Sequence, residues 1–174
     1  MRMLWTALLV LGAAGQDPQA TMNGRGAMAM GFDQEKTAHH FLLYADGGAI
    51  DIAVKDATDT KDRDAIRSHL PHIATMFGSG DFDAPMLVHE AKDIPGTAVL
   101  SARKESISYR YRETPEGGRV EIVTSDPETL KALHEFLRYQ IQEHHTGDTG
   151  TVEQRKQAQW TNGLDRATSH ARPA

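Results

Sequence analysis

From residue 39 the chain alternates. His39, Phe41 and Leu43 occupy every second position, Asp46-Gly47-Gly48 follows, and Ile50, Ile52 and Val54 then alternate with Asp51 and Lys55. Period-two alternation on both sides of turn residues predicts a β-hairpin. Whether the turn centres on Asp46-Gly47 or on Gly47-Gly48, the count puts Phe41 and Leu43 on the face of Ile50, Ile52 and Val54. His39 then points to the core and His40 away from it.

The period next lengthens. Between Asp59 and Phe77, the residues Ile66, Leu70, Ile73 and Phe77 recur at spacings of four, three and four, one stripe of an α-helix. Gly78-Ser79-Gly80 ends it. Pro71 lies inside, where the missing backbone N–H predicts a kink or a split. His69 and Met76 flank the stripe, with His72 a little further round. Residues 81–94 show no clear period and read as a loop or edge strand bearing Met86, His89 and Glu90, closed by the turn Ile94-Pro95-Gly96. Thr97 to Glu105 fits a helical turn or extended chain.

The first pattern then returns. Ile107, Tyr109 and Tyr111 alternate with Ser108, Arg110 and Arg112, the chain turns at Thr114 to Gly118, and Val120, Ile122 and Thr124 alternate back. Ser125 or Asp126 caps a helix that opens on Pro127 and Glu128 and ends at Thr146-Gly147-Asp148. Its stripe is Leu130, Leu133, Leu137 and Ile141. The segments GGAIDIAVKD and GGRVEIVTSD match in pattern, as does the Gly-Asp ending of each unit. A ββα unit used twice would leave a sheet face and a helix stripe bare each time. The economical α+β fold is two ββα units forming a four-stranded antiparallel sheet with two helices packed on one face.

Both ends differ from the middle. Residues 1–15 begin with a positive charge, run apolar from Leu4 to Ala14 and finish in small residues, the pattern of a cleaved signal peptide. The run is about half the ~20 residues a spanning helix needs. Residues 16–30 read as a flexible linker, 31–148 as the single ββα-ββα domain, and 149–174 as a disordered tail. These expectations describe an exported protein, periplasmic or secreted, with no stable membrane anchor after cleavage. The outer sheet face is the candidate surface for a homodimer.

Composition limits the chemistry. The chain has no cysteine, so neither disulfide nor thiolate enters. Nine histidines and seven methionines remain as soft or borderline ligands, and a net charge of −5 speaks against a nucleic-acid partner. On the last helix, Leu137 and Ile141 fall within about 20° of Leu130, while His144 and His134 lie about 40° to either side. Both border the buried stripe, opposite His39. They are ten residues apart, about 15 Å along a helix, so they cannot share an ion. The local pattern with the best spacing is His69, His72 and Met76, joined by His89 and with Met86 as a soft auxiliary.

These residues support a His-rich metal-binding protein that uses His39, His69, His72, Met76, His89 and His134. Imidazole with thioether favours copper over zinc. An alternative is a noncovalent haem or small-ligand carrier that uses His39, His134 and His144, since the Cys-x-x-Cys-His attachment is absent. Two further alternatives are an interaction module whose histidines only pack, and a metal-dependent enzyme with Asp81, Glu90 or Asp148 as base. No Gly-x-Ser-x-Gly, His-Glu-x-x-His or phosphate-loop motif is present, which argues against nucleophilic catalysis.

The strings MGFDQEKTAHHF, GGAIDIAV, IRSHLPHIATMFGSGDF and LHEFLRYQIQEHHTGD resemble a family of short exported bacterial proteins of unknown function. Some members carry the label aspartate carbamoyltransferase. The resemblance covers about Met30 to Asp148 and implies export without a characterised activity. The Ser-Thr-Arg-Thr carbamoyl-phosphate signature of that enzyme is missing, and the domain is too short for its two-domain architecture.

Overall fold

The computed structural model describes residues 17–155. In chain order the elements are α1 (Pro18–Met30), β1 (Thr37–Tyr44), β2 (Gly47–Val54), α2 (Thr60–Ser79), α3 (Asp83–His89), α4 (Thr97–Ala102), a 3-10 turn (Lys104–Ser106), β3 (Ile107–Thr114), β4 (Gly117–Thr124), α5 (Pro127–His144) and β5 (Val152–Glu153). The expected signal peptide, and the expected tail from residue 156 onward, lie outside the described residues.

Each hairpin turns on two residues. Tyr44 pairs with Gly47 and Thr114 with Gly117, leaving Ala45-Asp46 and Pro115-Glu116 as the turns. The glycine pairs therefore belong to the strands, where they permit close approach. A Cβ on Gly48 would lie 2.4 Å from Leu137 Cδ1, and one on Gly118 would lie 2.7 Å from the Tyr111 ring. Glycine at position 48 lets α5 settle onto the sheet.

The sheet corrects the expected architecture. It has five strands in the order β3-β4-β2-β1-β5, and β5 runs parallel to β1. It is a mixed sheet with five α-helices, so the four-stranded antiparallel arrangement with two helices is overturned. The added strand comes from the stretch expected to be tail. No apolar period marks residues 149–155, because backbone groups and one arginine hold them. The Ala45 N–H donates to the Glu153 carbonyl at 3.2 Å. Arg155 lies 4.4 Å above the Tyr44 ring and pairs with Asp46 at 3.2 Å.

The expected linker is likewise corrected to a helix. Asp17 caps α1 by accepting from the Gln19 N–H, Pro18 fills the first turn, and Gly31 ends it in the left-handed region at φ 80. Gly24 and Gly26 weaken any intrinsic helical preference. Packing compensates: α1 lies on α3, and Arg25 donates to the Val88 carbonyl at 2.8 Å and pairs with Glu90 at 3.1 Å. Residues 83–89 form a helix in place of the expected loop or strand. Pro71 does not split α2, which runs through it as one helix.

The core lies between the sheet and the helices α2 and α5. Ile66, Leu70 and Phe77 of α2, together with Leu133, Phe136 and Leu137 of α5, pack on Phe41, Leu43, Ile50, Ile52, Val120 and Ile122. Each fully buried leucine contributes roughly 1.5–3 kcal/mol. The opposite face of the sheet carries cross-strand ion pairs, Asp51 with Arg119 and Arg112 with Glu121. Among the described residues no helix is long and apolar enough to cross a membrane.

Candidate functional site

α5 carries a buried polar ring that ties it to the first hairpin. The His134 ring is buried, and its Nε2–H donates to the carbonyls of Tyr44 and Gly47, each at 3.0 Å. These are the last residue of β1 and the first of β2, so one imidazole fastens the hairpin to the helix. His134 is thereby occupied by backbone and stands outside the cavity that collects the other rings.

That cavity is an apolar chamber of ≈ 70 Å³ between the sheet and the helices α1, α2, α3 and α5. It is lined by Ala29, Met30, His39, Phe41, Ile50, Ile52, His69, Leu70, Ile73, Phe77, Ala84, Pro85, Val88, His89, Phe136, Gln140 and His144. Four imidazoles from four elements thus meet in one space that contains no charged side chain. His144 is the ring that touches two of the others, His39 and His89. Its ring stacks on His39 at 5.8 Å between centroids and 21° between planes, meets His89 edge-on at 5.0 Å, and lies 5.7 Å from Phe41. Phe32 supports the far side, 6.0 Å from both His39 and His69.

These imidazoles are neutral at neutral pH. Burial, and then its neighbours His40 and Lys55, holds His39 down to about 4. Burial, and then His72, holds His69 down to about 4. Burial, followed by His39, His89 and His145, holds His144 down to about 3. His89 is also lowered by burial, against the opposing pull of Gln140 and Glu143.

Their hydrogen bonding is incomplete in a concentrated way. Among the described residues six buried side-chain nitrogens and oxygens have no partner, and four of them belong to this chamber: His39 Nε2, His69 Nε2, His89 Nδ1 and Gln140 Nε2. Leaving a buried polar group unpaired costs about 1–3 kcal/mol. A ligand or an ordered water in this cavity would complete that bonding. The Gln140 Oε1 lies 3.0 Å from His89 Nε2. The carbonyl oxygen accepts from Nε2–H, so the His89 lone pair sits on the unpartnered Nδ1.

The residues expected to share a site part company here. His39, His69, His89 and His144 converge; His134 is a structural clamp; His72 is exposed on the outer side of α2. Met76 packs against the core without reaching the chamber, and Met86 lines a separate surface hollow near Asp81 and Lys92. Of His69, His72 and Met76, only His69 lines the chamber. An i, i+3 pair spans less than a full turn, and the chamber takes only the first of them. Among the described residues no three His, Asp or Glu side chains stand at the spacing of a complete metal site. Asp81, Glu90 and Asp148 also lie outside the chamber lining. Asp81 accepts from the Asp83 N–H, Glu90 pairs with Arg25, and Asp148 accepts from the Phe41 N–H.

Gln140 and Met30 also line the chamber. Gln140 carried no expectation; it follows Leu137 on α5 beside the apolar stripe, and a polar residue there is the signal that points to it. Met30 is one of three methionines, with Met22 and Met28, that the sequence offers as thioethers suited to Cu(I), and its place at the chamber depends on α1. No protein family, no curated protein and no solved structure matches this chain.

Proposed function

We propose that the protein binds and stores a single soft monovalent metal ion, copper in its Cu(I) state, on the imidazoles of the chamber. The observation that carries this is the set of unpartnered nitrogen atoms of His39, His69 and His89 at one chamber, with His39 and His89 in ring contact with His144. Two imidazoles on one ion, at a metal–nitrogen distance of about 2.0 Å, have ring centroids roughly 5–6 Å apart. The His39–His144 and His89–His144 spacings of 5.8 and 5.0 Å lie in that range. Ring rotation within the chamber would then aim two nitrogens at one ion.

Charge selects the ion. Desolvation cost grows with the square of the charge, so a dication would cost about four times as much as a monocation in a chamber without a carboxylate. Zinc also takes four ligands at ordinary structural sites, whereas Cu(I) accepts two imidazoles with a thioether nearby. Met30, which lines the chamber, is the methionine that would supply it. Haem fits less well, since pockets for drug-sized ligands start at about 300 Å³ and this chamber has ≈ 70 Å³.

The second reading is a carrier for a small neutral molecule of a few heavy atoms. It is favoured by the neighbouring donor and acceptor on Gln140 and His89. Titration of metal-free protein with Cu(I) in competition with a chromophoric chelator decides between them. The expected result is one ion per chain, held more weakly, by about tenfold or more, in His144→Ala. Absence of copper uptake by the wild type would overturn the copper assignment and leave the small-molecule reading.

A further inference from the structure

Four helices end on a residue in the left-handed region. α1 and α2 end there on Gly31 at φ 80 and Gly80 at φ 83, the usual choice, because glycine adopts that region without strain. α3 and α5 end instead on Glu90 at φ 51 and His145 at φ 49. Among the described residues these are the two positions other than glycine with a positive φ. A side chain is therefore kept, against strain, at two caps where glycine would fit better.

Both side chains reach the same element. The Glu90 carboxylate pairs with Arg25 at 3.1 Å, and His145 Nδ1 lies 2.9 Å from the Gln19 Oε1. Gln19 and Arg25 belong to α1, so two strained caps on two different helices hold one helix, at its first turn and at its middle. Arg25 also donates to the Val88 carbonyl at 2.8 Å, on the same helix α3 that ends at Glu90. Glycine at either cap would suit the backbone and leave α1 unfastened.

α1 is otherwise weakly held. Its buried residues are Met22 and Gly26, and Met22 stands outside the main core; Met30, next to Gly31, packs against that core. Gly24 and Gly26 lower the helical preference, and Gly31 joins the helix to the rest of the chain with the conformational freedom of glycine. Few buried apolar contacts and polar ties near the surface mark an element that opens at low free energy. Its position gives that opening a consequence. Ala29 and Met30 line the chamber, while Gln19 and Asn23 line a polar hollow of ≈ 230 Å³ that shares His39 and His144 with it. α1 is thus a wall common to the interior and to the surface hollow.

We propose that α1 is a lid over the chamber, hinged at Gly31 and latched by Glu90 and His145, and that release of the two latches admits the ligand from the polar hollow. The proposal concerns entry and rests on the chamber being the binding site.

The chain has no cysteine, so Val88→Cys, at a buried position of α3 that lines the chamber, introduces a sole thiol. Its rate of reaction with dithiobis(nitrobenzoate) reads access to the chamber wall without any metal. In this background Glu90→Gly/His145→Gly removes both latches while suiting the backbone at each cap. Labelling is expected to be faster by about fivefold or more, with a melting temperature no lower than that of the Val88→Cys parent. Labelling at the parent rate would overturn the lid. Faster labelling with a lowered melting temperature would overturn it as well, since the thiol would then be exposed by loosening of the whole fold. Mixing the full chain, with Val88 in place, with Cu(I) as its bicinchoninate complex separates the lid from its cargo. The latch variant is expected to load faster than wild type and to the same final occupancy, and equal loading rates beside faster labelling would overturn α1 as the route of entry. Faster labelling with no copper uptake by the wild type would overturn the copper assignment and leave the lid standing.

Discussion

The rings of His39 and His144, from the first strand and the last helix, stack at 5.8 Å with 21° between their planes. The hydrogen bonds that fasten the β1–β2 hairpin to α5 come instead from His134, beside the apolar packing of Leu133 and Leu137. Removing one stacked ring is therefore expected to affect binding more than folding. His39→Ala and His144→Ala should each weaken Cu(I) affinity by about tenfold or more in chelator competition. His72→Ala, on the exposed side of α2, should leave it unchanged.

Gln140 fixes the tautomer of His89 by accepting from its Nε2–H. In Gln140→Leu that acceptor is gone and the His89 proton is free to move to Nδ1. Affinity is expected to fall about 10–100-fold. Chemical denaturation should show little loss of stability, because the unpartnered Gln140 Nε2 is removed at the same time.

His134→Ala removes the clamp on Tyr44 and Gly47 and leaves two buried carbonyls short of a donor. A loss of roughly 2–4 kcal/mol is expected in urea unfolding. Copper stoichiometry in the folded fraction should remain that of the wild type. A variant that kept its stability but lost copper would reverse the roles assigned to His134 and His144.

Acid should unfold the metal-free protein through the chamber histidines. Burial lowers His39 and His69 to about 4 and His144 to about 3, below their ordinary value near 6.5. The unfolded chain therefore takes up protons that the folded chain refuses once pH falls below about 6.5. Their contribution is fully present above that value and is lost as pH drops toward 4. Each such ring costs up to about 1.4 kcal/mol per pH unit in this window. Thermal melts at pH 7, 6, 5 and 4 should show the decline, and His144→Leu should flatten it.

His145 occupies a left-handed position that glycine adopts freely. His145→Gly is expected to stabilise the fold by up to about 1 kcal/mol, the relieved strain being partly offset by the greater freedom of glycine in the unfolded chain. Thermal melts of the variant beside the wild type check this.

Much of the fold was legible because it rests on periodicity. Alternation of Phe41, Leu43, Ile50 and Ile52, and the four-three-four spacing of Ile66 through Phe77, placed both hairpins and both long helices. The same counting put His39 on the inner face and His144 beside the stripe of α5. The elements that escaped are those whose backbone is held by partners distant in sequence. α1, with glycines at 24 and 26, is held on α3 through Arg25, and β5 is held on β1 through main-chain bonds and Arg155.

The candidate site divides along the same line. Sequence alone determined that there is no thiolate, that histidine is plentiful, and that His134 and His144 are too far apart on one helix to serve one ion. Tertiary structure decided which of them meets His39. His134 points at the β1–β2 turn and is satisfied by two carbonyls, while His144 lies further along α5 and reaches the chamber with His69 and His89. A single helical stripe can be read from spacing. The convergence of rings from β1, α2, α3 and α5 depends on how those elements pack, and no local period encodes it.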